Sequence, residues 1–320
     1  MLFVLPALAT TPEISAGRWS VTPAPRPTLL NHRAVLALLP TAEAVRYAVH
    51  SGWVETVAGA ARRTRLARTV ELHVAAPAAR CRLTLRTANT RLHPPAATAF
   101  DDLALLLADL YEELVVDVAP TGHWLSLANA AAIGPRWARV QQALARQYPA
   151  GSEVVDALVA GIGRQLARPA GLWPSLPSNY LYAALPGSFY GQPFEMNQQY
   201  TRPKAFAQFF DGQALHFTET LRLAAPDDPA HVVLELTGTL DLTATDVAAV
   251  AARVGAAFGS GHPAVAPEEL RFTYFATHSF EKSTGLPARV ELTVSCAYQD
   301  LYHKEYHLVI NAIPPTNLPL

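Results

Sequence analysis

The stretch that decides the fold runs from Leu270 to Ile310 and reads LRFTYFATHSFEKSTGLPARVELTVSCAYQDLYHKEYHLVI. Apolar side chains recur there at every second position in three successive runs. These positions are Phe272, Tyr274, Ala276 and Phe280, then Val290, Leu292, Val294, Cys296 and Tyr298, then Tyr306, Leu308 and Ile310. Alternation with a period of two is typical of antiparallel strands that bury one face. The stretch therefore predicts three neighbouring strands of one sheet.

Two residues of this stretch carry more specific expectations. Thr284-Gly285 predicts a tight turn between the first two strands, with Gly285 at positive φ, because glycine adopts that conformation without a Cβ clash. His278 falls on the buried face of the first strand. We expect a buried imidazole that has a hydrogen-bond partner.

Similar patterns occur along the rest of the chain. Period-two alternation marks further strands at Val45–Val49, Val70–Val74, Cys81–Leu85, Leu215–Leu223 and Val232–Leu242. Apolar residues at helical spacing predict helices over 100–113, from Pro135 to Tyr148, from Ser152 to Leu166, and from a Thr243 or Thr245 cap to Phe258. The predicted fold class is α+β, with long antiparallel strands in a curved or partly closed sheet and about four helices packed on one face.

The domain organisation follows from shifts in composition. Residues 1–32 are expected to form an extended N-terminal segment without regular pairing, since Pro23, Pro25 and Pro27 alternate there. Leu2–Ala9 within it is similar to the apolar core of a signal peptide, although no basic residue precedes it. Residues 33–320 are expected to form a single α+β domain. The alternative is a two-part architecture of 33–168 and 212–320, joined by a segment rich in aromatic residues and proline at 169–211.

Composition excludes some classes of function. The chain has 320 residues, of which 16% are charged, and its net charge is −1. No global field therefore favours nucleic acid or an anionic membrane, and no apolar run is long enough for a transmembrane helix. Cys81 and Cys296 are expected to be separate buried thiols, with a disulfide between them as the alternative.

The segment 169–211 is the main anomaly of composition. Its prolines, at 169, 174, 177, 186, 193 and 203, argue against helix or sheet through most of it. Aromatic rings offer large apolar contact area at small entropic cost, so we expect the segment to form the rim of a ligand cavity. The predicted ligand-binding residues are Trp173, Tyr182, Phe189, Tyr190, Phe194 and Phe206. Alternatively, the same rings simply cover the end of the sheet.

Catalytic and metal-binding patterns are weak. Glu219 interrupts the apolar face of its strand, and it is either an inward carboxylate with a raised pKa or the mark of a bulge or edge. His303 and His307 share a strand face but lie too far apart for one metal ion. The basic run at 61–68 is interpreted as a solvated turn or edge. We assign no catalytic residue, no metal ligand and no cofactor.

The C-terminal hairpin carries a resemblance. Phe280, Thr284, Gly285, Leu286 and Pro287 form a pattern that resembles the strand–turn–strand of bacterial extracytoplasmic proteins with curved β-sheets, among them the lipoprotein-carrier-like half-barrels. The resemblance covers this hairpin alone. It implies an open curved sheet whose concave face is covered by helices, and a role in binding apolar ligands. It transfers no binding residue.

Three functions remain open on this evidence. The first is a non-enzymatic protein of the cell envelope, periplasmic or secreted, that binds an apolar small molecule or lipid, or a protein partner. The second is an enzyme of unrecognised class with its site under residues 173–210. The third is a cytoplasmic structural or assembly component. A convergent set of buried polar groups beneath the aromatic segment would favour the enzyme.

Overall fold

The computed structural model describes residues 20–23, 33–76, 80–95, 105–148, 152–167, 176, 179–185, 187, 189–210, 213–225, 227–259 and 264–314. Their dominant element is a large, curved antiparallel sheet. The strands are β1 (Ser20–Pro23), β2 (Arg33–Val35), β3 (Val45–Val57), β4 (Ala60–Ala75), β5 (Cys81–His93), β6 (Glu113–Val118), β7 (Trp124–Leu127), β8 (Pro193–Glu195), β9 (Gln198–Phe210), β10 (Gln213–Ala224), β11 (His231–Leu240), β12 (Leu270–Glu281), β13 (Pro287–Tyr298) and β14 (Tyr302–Ile313).

The main sheet has 12 strands in the order β1-β9-β10-β11-β12-β13-β14-β3-β4-β5-β6-β7. Most neighbours in the sheet are also neighbours along the chain. The exceptions are the pairing of β14 with β3 and that of β1 with β9. Within the described residues β1 and β7 do not pair with each other, so the sheet is open. The α+β class and the curved antiparallel sheet are confirmed.

One face of the sheet, called here the inner face, is continuous and largely apolar. Ala276, Leu292 and Leu308 stand opposite one another on three adjacent strands and illustrate the alignment. The predicted C-terminal burial is confirmed for Tyr274, Val290, Leu292, Val294, Tyr306 and Leu308, and Phe272 is half-buried. Inner-face residues of β3, β4 and β5 join the same hydrophobic core. The period-two alternation therefore identified the buried face correctly.

Helices contribute apolar residues to this core. They are α1 (Ala130–Gln147), α2 (Glu153–Leu166), α3 (Tyr180–Ala184) and α4 (Val247–Ala257), and a helical turn at 105–108 continues into a 3-10 helix, Asp109–Tyr111. The predicted helix over 100–113 ends earlier, because Glu113 already belongs to β6; residues 100–104 lie outside the described part. In α1, Trp137, Val140 and Leu144 are buried as expected.

Two helix starts were predicted wrongly. The helix α1 begins at Ala130 and contains Pro135 in its interior instead of beginning there. The helix α4 is capped by Asp246, whose carboxylate accepts from the Ala249 amide at 2.9 Å. Aspartate accepts this bond as well as threonine does. Thr245 instead accepts a hydrogen bond from the His216 amide of β10 at 3.0 Å.

The turn between β12 and β13 is confirmed, and its glycine has a second role. Gly285 has φ +70°, as predicted. A Cβ at this position would overlap the carbonyl of Ala37. The neighbouring Thr284 carbonyl accepts from the Leu39 amide at 3.0 Å, and the Gly285 carbonyl accepts from the Tyr190 hydroxyl at 3.0 Å. The turn therefore binds two segments that are distant in sequence.

The interpretation of 169–211 as neither helix nor sheet was wrong for much of its length. Tyr180–Ala184 is the short helix α3, and Gln198–Phe210 is the long strand β9. The strand tolerates Pro203 because, among the residues that the structure describes, β1 pairs only with Gln198–Thr201 and leaves the rest of β9 at the edge of the sheet. That pairing also contradicts the expectation that Ser20–Pro23 is unpaired.

The expectations for the basic run at 61–68 and for the two cysteines can be compared with the structure: the run is not the turn, and the cysteines are separate. The basic run at 61–68 lies inside β4, and the turn before it is formed by Ala58 and Gly59, both at positive φ. Cys81 and Cys296 are separate, buried, free thiols, so the disulfide alternative is wrong.

Candidate functional site

A buried ion pair lies on the inner face where β9 and β10 pair. Arg202 and Glu219 stand directly opposite one another, and Arg202 Nε donates to Glu219 Oε2 at 2.6 Å. The two side chains are 10% and 1% exposed. The other carboxylate oxygen, Oε1, accepts a hydrogen bond from the hydroxyl of Tyr274 on β12. Glu219 is therefore an inward carboxylate whose two oxygens are both bonded.

Gly238 makes the contact between Tyr274 and Glu219 possible. It stands opposite Glu219 on β11, the strand between β10 and β12. A Cβ at Gly238 would overlap the ring of Tyr274. Because glycine has no side chain, the tyrosine ring can lie across β11 and reach the carboxylate two strands away.

Lys204 adds a second cation to this site. It lies on the same face of β9 as Arg202 and is half-buried, with its ammonium 5.6 Å from the ring centroid of Phe206. Within the described residues it makes no ion pair and no hydrogen bond. Burial lowers the pKa of Lys204, although Glu219 opposes this shift. Two cations thus accompany one carboxylate.

The pKa of Glu219 moves in the direction opposite to the one expected. Burial alone would raise it, but the Arg202 and Lys204 cations and the hydrogen bonds from Tyr274 and Arg202 hold it below its ordinary value. The carboxylate is therefore ionised at neutral pH, and the raised pKa expected from the sequence was wrong. Nearby positive charge outweighs desolvation here.

His278 lies on the same face of β12 as Tyr274 and is 4% exposed. Burial lowers its pKa to about 3; Glu219 opposes the shift, and Lys204 and Arg202 reinforce it. The imidazole is therefore neutral at pH 7. Its Nδ1 is buried without a hydrogen-bond partner in the described structure. Burial of His278 is confirmed, but the hydrogen-bond partner expected for the ring is missing at this nitrogen.

Phe189 covers the polar residues. Its ring centroid lies 4.9 Å from that of His278 and 5.1 Å from the guanidinium carbon of Arg202. Phe189 is itself 2% exposed. The segment between α3 and β8 thus covers a set of polar side chains from β9, β10 and β12, which we call the charge cluster: Arg202, Lys204, Glu219, Tyr274 and His278.

A row of aromatic rings leads from the charge cluster across the inner face. We call it the aromatic strip; its members are Trp53, Tyr180, Phe206, Phe209 and Tyr306. Ring centroids are 4.9 Å apart for Tyr274 and Phe206, 5.5 Å for Phe206 and Tyr180, and 4.3 Å for Tyr180 and Tyr306. Trp53 lies 4.8 Å from Tyr306 and 5.4 Å from Phe209.

The far end of the aromatic strip is only partly covered. Trp53 and Tyr180 are half-buried, as are Ser51 and Leu66 beside Trp53 on β3 and β4. In contrast, Tyr47 and Val49, closer to the start of β3, are fully buried on the same face. The inner face therefore changes from closed core to partly open apolar surface along the length of one strand.

Most of the predicted ligand-binding residues are deeply buried. Tyr182, Phe189, Tyr190, Phe194 and Phe206 are each between 0% and 2% exposed. Phe189 and Phe206 adjoin the charge cluster, whereas Tyr190 binds the Gly285 carbonyl and Phe194 packs on Tyr200 with centroids 5.2 Å apart. Trp173 lies outside the described residues. Whether these rings contact a ligand stays a prediction.

The sequence analysis missed Arg202, Lys204, Tyr274 and the far end of the strip as site residues. A signal was present in β9, where Tyr200, Arg202, Lys204 and Phe206 alternate with the period of a strand. This alternation places two cations on the same face as two aromatic rings. Trp53 and Tyr306 carried no comparable signal, because they lie on strands that are distant in sequence. Glu55 of β3 and Tyr302 of β14, which contact each other, are 247 residues apart.

A separate cavity of about 600 Å³ lies between β5, the turn at 105–108 and the end of α1. Asn89, Leu106, Asp109 and Gln147 are among the residues that line it. Burial raises the pKa of Asp109, Glu112 adds to the shift, and Arg139 opposes it. Its described lining includes no residue of the charge cluster and none of the five predicted ligand-binding residues that the structure describes.

Comparisons with known proteins assign the chain to no family. No protein family and no curated protein sequence matches the chain. A solved structure described as showing lipid–protein interactions in lipovitellin is similar with a TM-score of 0.41 and 10% identity over 85% of this chain. The chain spans 25% of the length of that protein. Among the described residues no helix is both long and apolar enough to cross a membrane.

Proposed function

We propose that the protein binds an apolar ligand, without catalysis, on the inner face of its curved sheet. The observation that carries the proposal is the partly open end of the aromatic strip, around Trp53 and Tyr180, on a face that is closed core at Tyr47 and Val49 of the same strand β3. Apolar side chains left half-exposed beside one another in this way are typical of surfaces that meet a ligand or partner.

Aromatic residues suit this role. Trp53 and Tyr180 present rigid rings, so ordering them against a ligand costs little side-chain entropy for the area that is buried. Lys304 reinforces the same end of the strip, with its ammonium 5.3 Å from the Trp53 ring and 3.8 Å from a Glu55 oxygen. This contact helps to hold the Trp53 ring in place before any ligand binds.

The charge cluster is the observation that favours the second candidate, an enzyme. Polar groups do converge beneath the aromatic segment, as that function requires. Their protonation states argue against acid–base chemistry at neutral pH, because the pKa of Glu219 is held low and that of His278 is lowered to about 3. A general acid or base works best with a pKa near the working pH. We therefore keep ligand binding as the first proposal.

Several finer points belong to the same proposal. The role in the cell envelope, expected from Leu2–Ala9 and from the resemblance of the C-terminal hairpin, remains part of it, with a cytoplasmic assembly role as the alternative. So does the half-barrel architecture with helices covering one face. Fractionation of cells that make the full-length chain would test the location independently of ligand binding.

The experiment is native mass spectrometry of the purified protein, followed by calorimetric titration with 1-dodecanol. We expect a bound apolar molecule, and we expect Trp53→Ala to weaken dodecanol binding roughly tenfold through the loss of aromatic contact. Phe275→Ala is the matched control, because Phe275 is an exposed aromatic residue (46%) on the outer face of β12. Equal affinities in both variants, or no binding to the wild type, would contradict the proposal.

A further inference from the structure

We infer that the charge cluster receives the acidic head group of the ligand, a carboxylate, while the apolar body of that ligand lies along the aromatic strip. This inference rests on the proposed function and specifies the class of ligand as a long-chain carboxylic acid. It is argued from the balance of charge, from an unpartnered polar atom, and from the continuity between cluster and strip.

The balance of charge favours a monoanion. Arg202 is paired with Glu219, whose oxygens are taken up by Arg202 and Tyr274. Lys204 is left without an ion pair or hydrogen bond among the described residues. Even partial burial of a cation without a counterion is unfavourable. One carboxylate would neutralise this excess charge, whereas a dianionic group would overcompensate it.

His278 supplies a second, independent observation. Its Nδ1 is buried on the same inner face and has no hydrogen-bond partner in the part of the chain that the structure describes. Buried polar atoms are nearly always hydrogen-bonded, so an orphaned nitrogen indicates a missing partner. In the tautomer that carries its proton on Nδ1, the neutral imidazole donates one hydrogen bond, and a carboxylate oxygen accepts it.

The strip joins the cluster directly. The Lys204 ammonium lies 5.6 Å from the Phe206 centroid, and Phe206 lies 5.5 Å from Tyr180 at the partly open end. Lys204 is itself half-buried rather than sealed. A chain that enters beside Trp53 and follows the rings therefore arrives at an unpaired cation. A ligand with one apolar end and one acidic end would match the aromatic strip with its apolar end and the charge cluster with its acidic end.

The test compares dodecanoate, methyl dodecanoate and 1-dodecanol by calorimetric titration of the full chain at pH 7.5. Because a charge-assisted hydrogen bond stabilises a complex more than a neutral one, we expect dodecanoate to bind roughly tenfold to a hundredfold more tightly than the other two. Lys204→Met should remove most of this preference. Lys282→Met, at the exposed turn after β12, is the matched control and should keep the preference.

The possible failures are distinguishable. Equal binding of all three compounds by the wild type would overturn the head-group site while leaving the proposed function intact, and this comparison needs no variant. A preference that persists in Lys204→Met would also overturn it. Binding of none of the compounds would overturn both proposals. If acetate alone raises the melting temperature as much as dodecanoate does, the cluster is a site for small anions and the inference is wrong.

Discussion

Two ion pairs of the same kind lie on strand β10, one on each face of the sheet. On the inner face Glu219 pairs with Arg202 at 2.6 Å, and on the outer face Arg222 pairs with Glu235 at 2.7 Å. Both pairs join residues that stand directly opposite each other on adjacent strands. Their exposure differs: 10% and 1% for the inner pair, 63% and 40% for the outer pair.

The comparison shows that burial changes what an ion pair contributes to stability. Exposed pairs contribute little to stability because water solvates each partner almost as well. Buried pairs carry a large desolvation penalty, so apolar residues of similar size would often be as stable or more so. A charged pair on an inner face made of leucine, valine and aromatic rings therefore calls for an explanation beyond stability, and the head-group site proposed above is one.

Removing the inner carboxylate should give the largest effect. In Glu219→Leu, Arg202 and Lys204 remain in the core without a counterion, and we expect the free energy of unfolding to fall by about 3–5 kcal/mol. Glu235→Leu, which breaks the outer pair, should change it by less than about 0.5 kcal/mol. Urea denaturation of both variants measures the contrast. Similar losses in the two would contradict the distinction between the faces.

Apolar residues of the inner face should rank next. Leu292→Ala leaves a cavity between β12 and β14, where Leu292 faces Ala276 and Leu308, and should lower the free energy of unfolding by about 3 kcal/mol. Its neighbour Thr293 points to the outer face, so Thr293→Ala should cost about 0.5 kcal/mol or less. A loss below about 0.5 kcal/mol for Leu292→Ala would reject the assignment of the core.

The smallest effect concerns pH. The pKa of His278 is lowered to about 3 in the fold, so between pH 6.5 and 3 the unfolded chain binds a proton at this site that the native protein does not. The contribution of His278 therefore makes the protein less stable as pH falls, by about 1.4 kcal/mol per pH unit in this window. His278→Phe should reduce the slope of unfolding free energy against pH between 6 and 5 by that amount. An unchanged slope would mean that the imidazole is protonated in the fold.

Sequence patterns predicted those features that depend on neighbouring residues. Alternation predicted the inward orientation of His278 and offered it as one of two alternatives for Glu219, and the turn chemistry predicted the conformation of Gly285. The direction in which the pKa of Glu219 shifts could not be predicted, because it depends on Arg202 and Lys204. The strand that carries these two residues was not recognised in the sequence. Pro203 concealed β9, since a proline argues against a central strand and only the sheet order shows that this position lies at an edge.

The site also depends on pairings that local sequence does not encode. Tyr274 reaches Glu219 only because Gly238 occupies the intervening position, and this requires the registers of β10, β11 and β12 together. The aromatic strip depends on the pairing of β14 with β3. Register between distant strands is set by the packing of whole faces, not by local alternation. The functional reading of 169–211 could therefore name Phe189 and Phe206 but not their polar neighbours.

The pairing of β14 with β3 has a consequence for folding during synthesis on the ribosome. Glu55 on β3 and Tyr302 on β14 are separated by 247 residues. At about 5–20 residues per second, a ribosome needs roughly 12–50 s to make the intervening polypeptide. Throughout that interval β3 can pair with β4 on one side. Its other edge, which later pairs with β14, has no partner strand yet. An open strand edge is a template for wrong partners. The edge of β3 is thus exposed to wrong pairing for longer than the edge of a strand whose partner follows it directly in sequence.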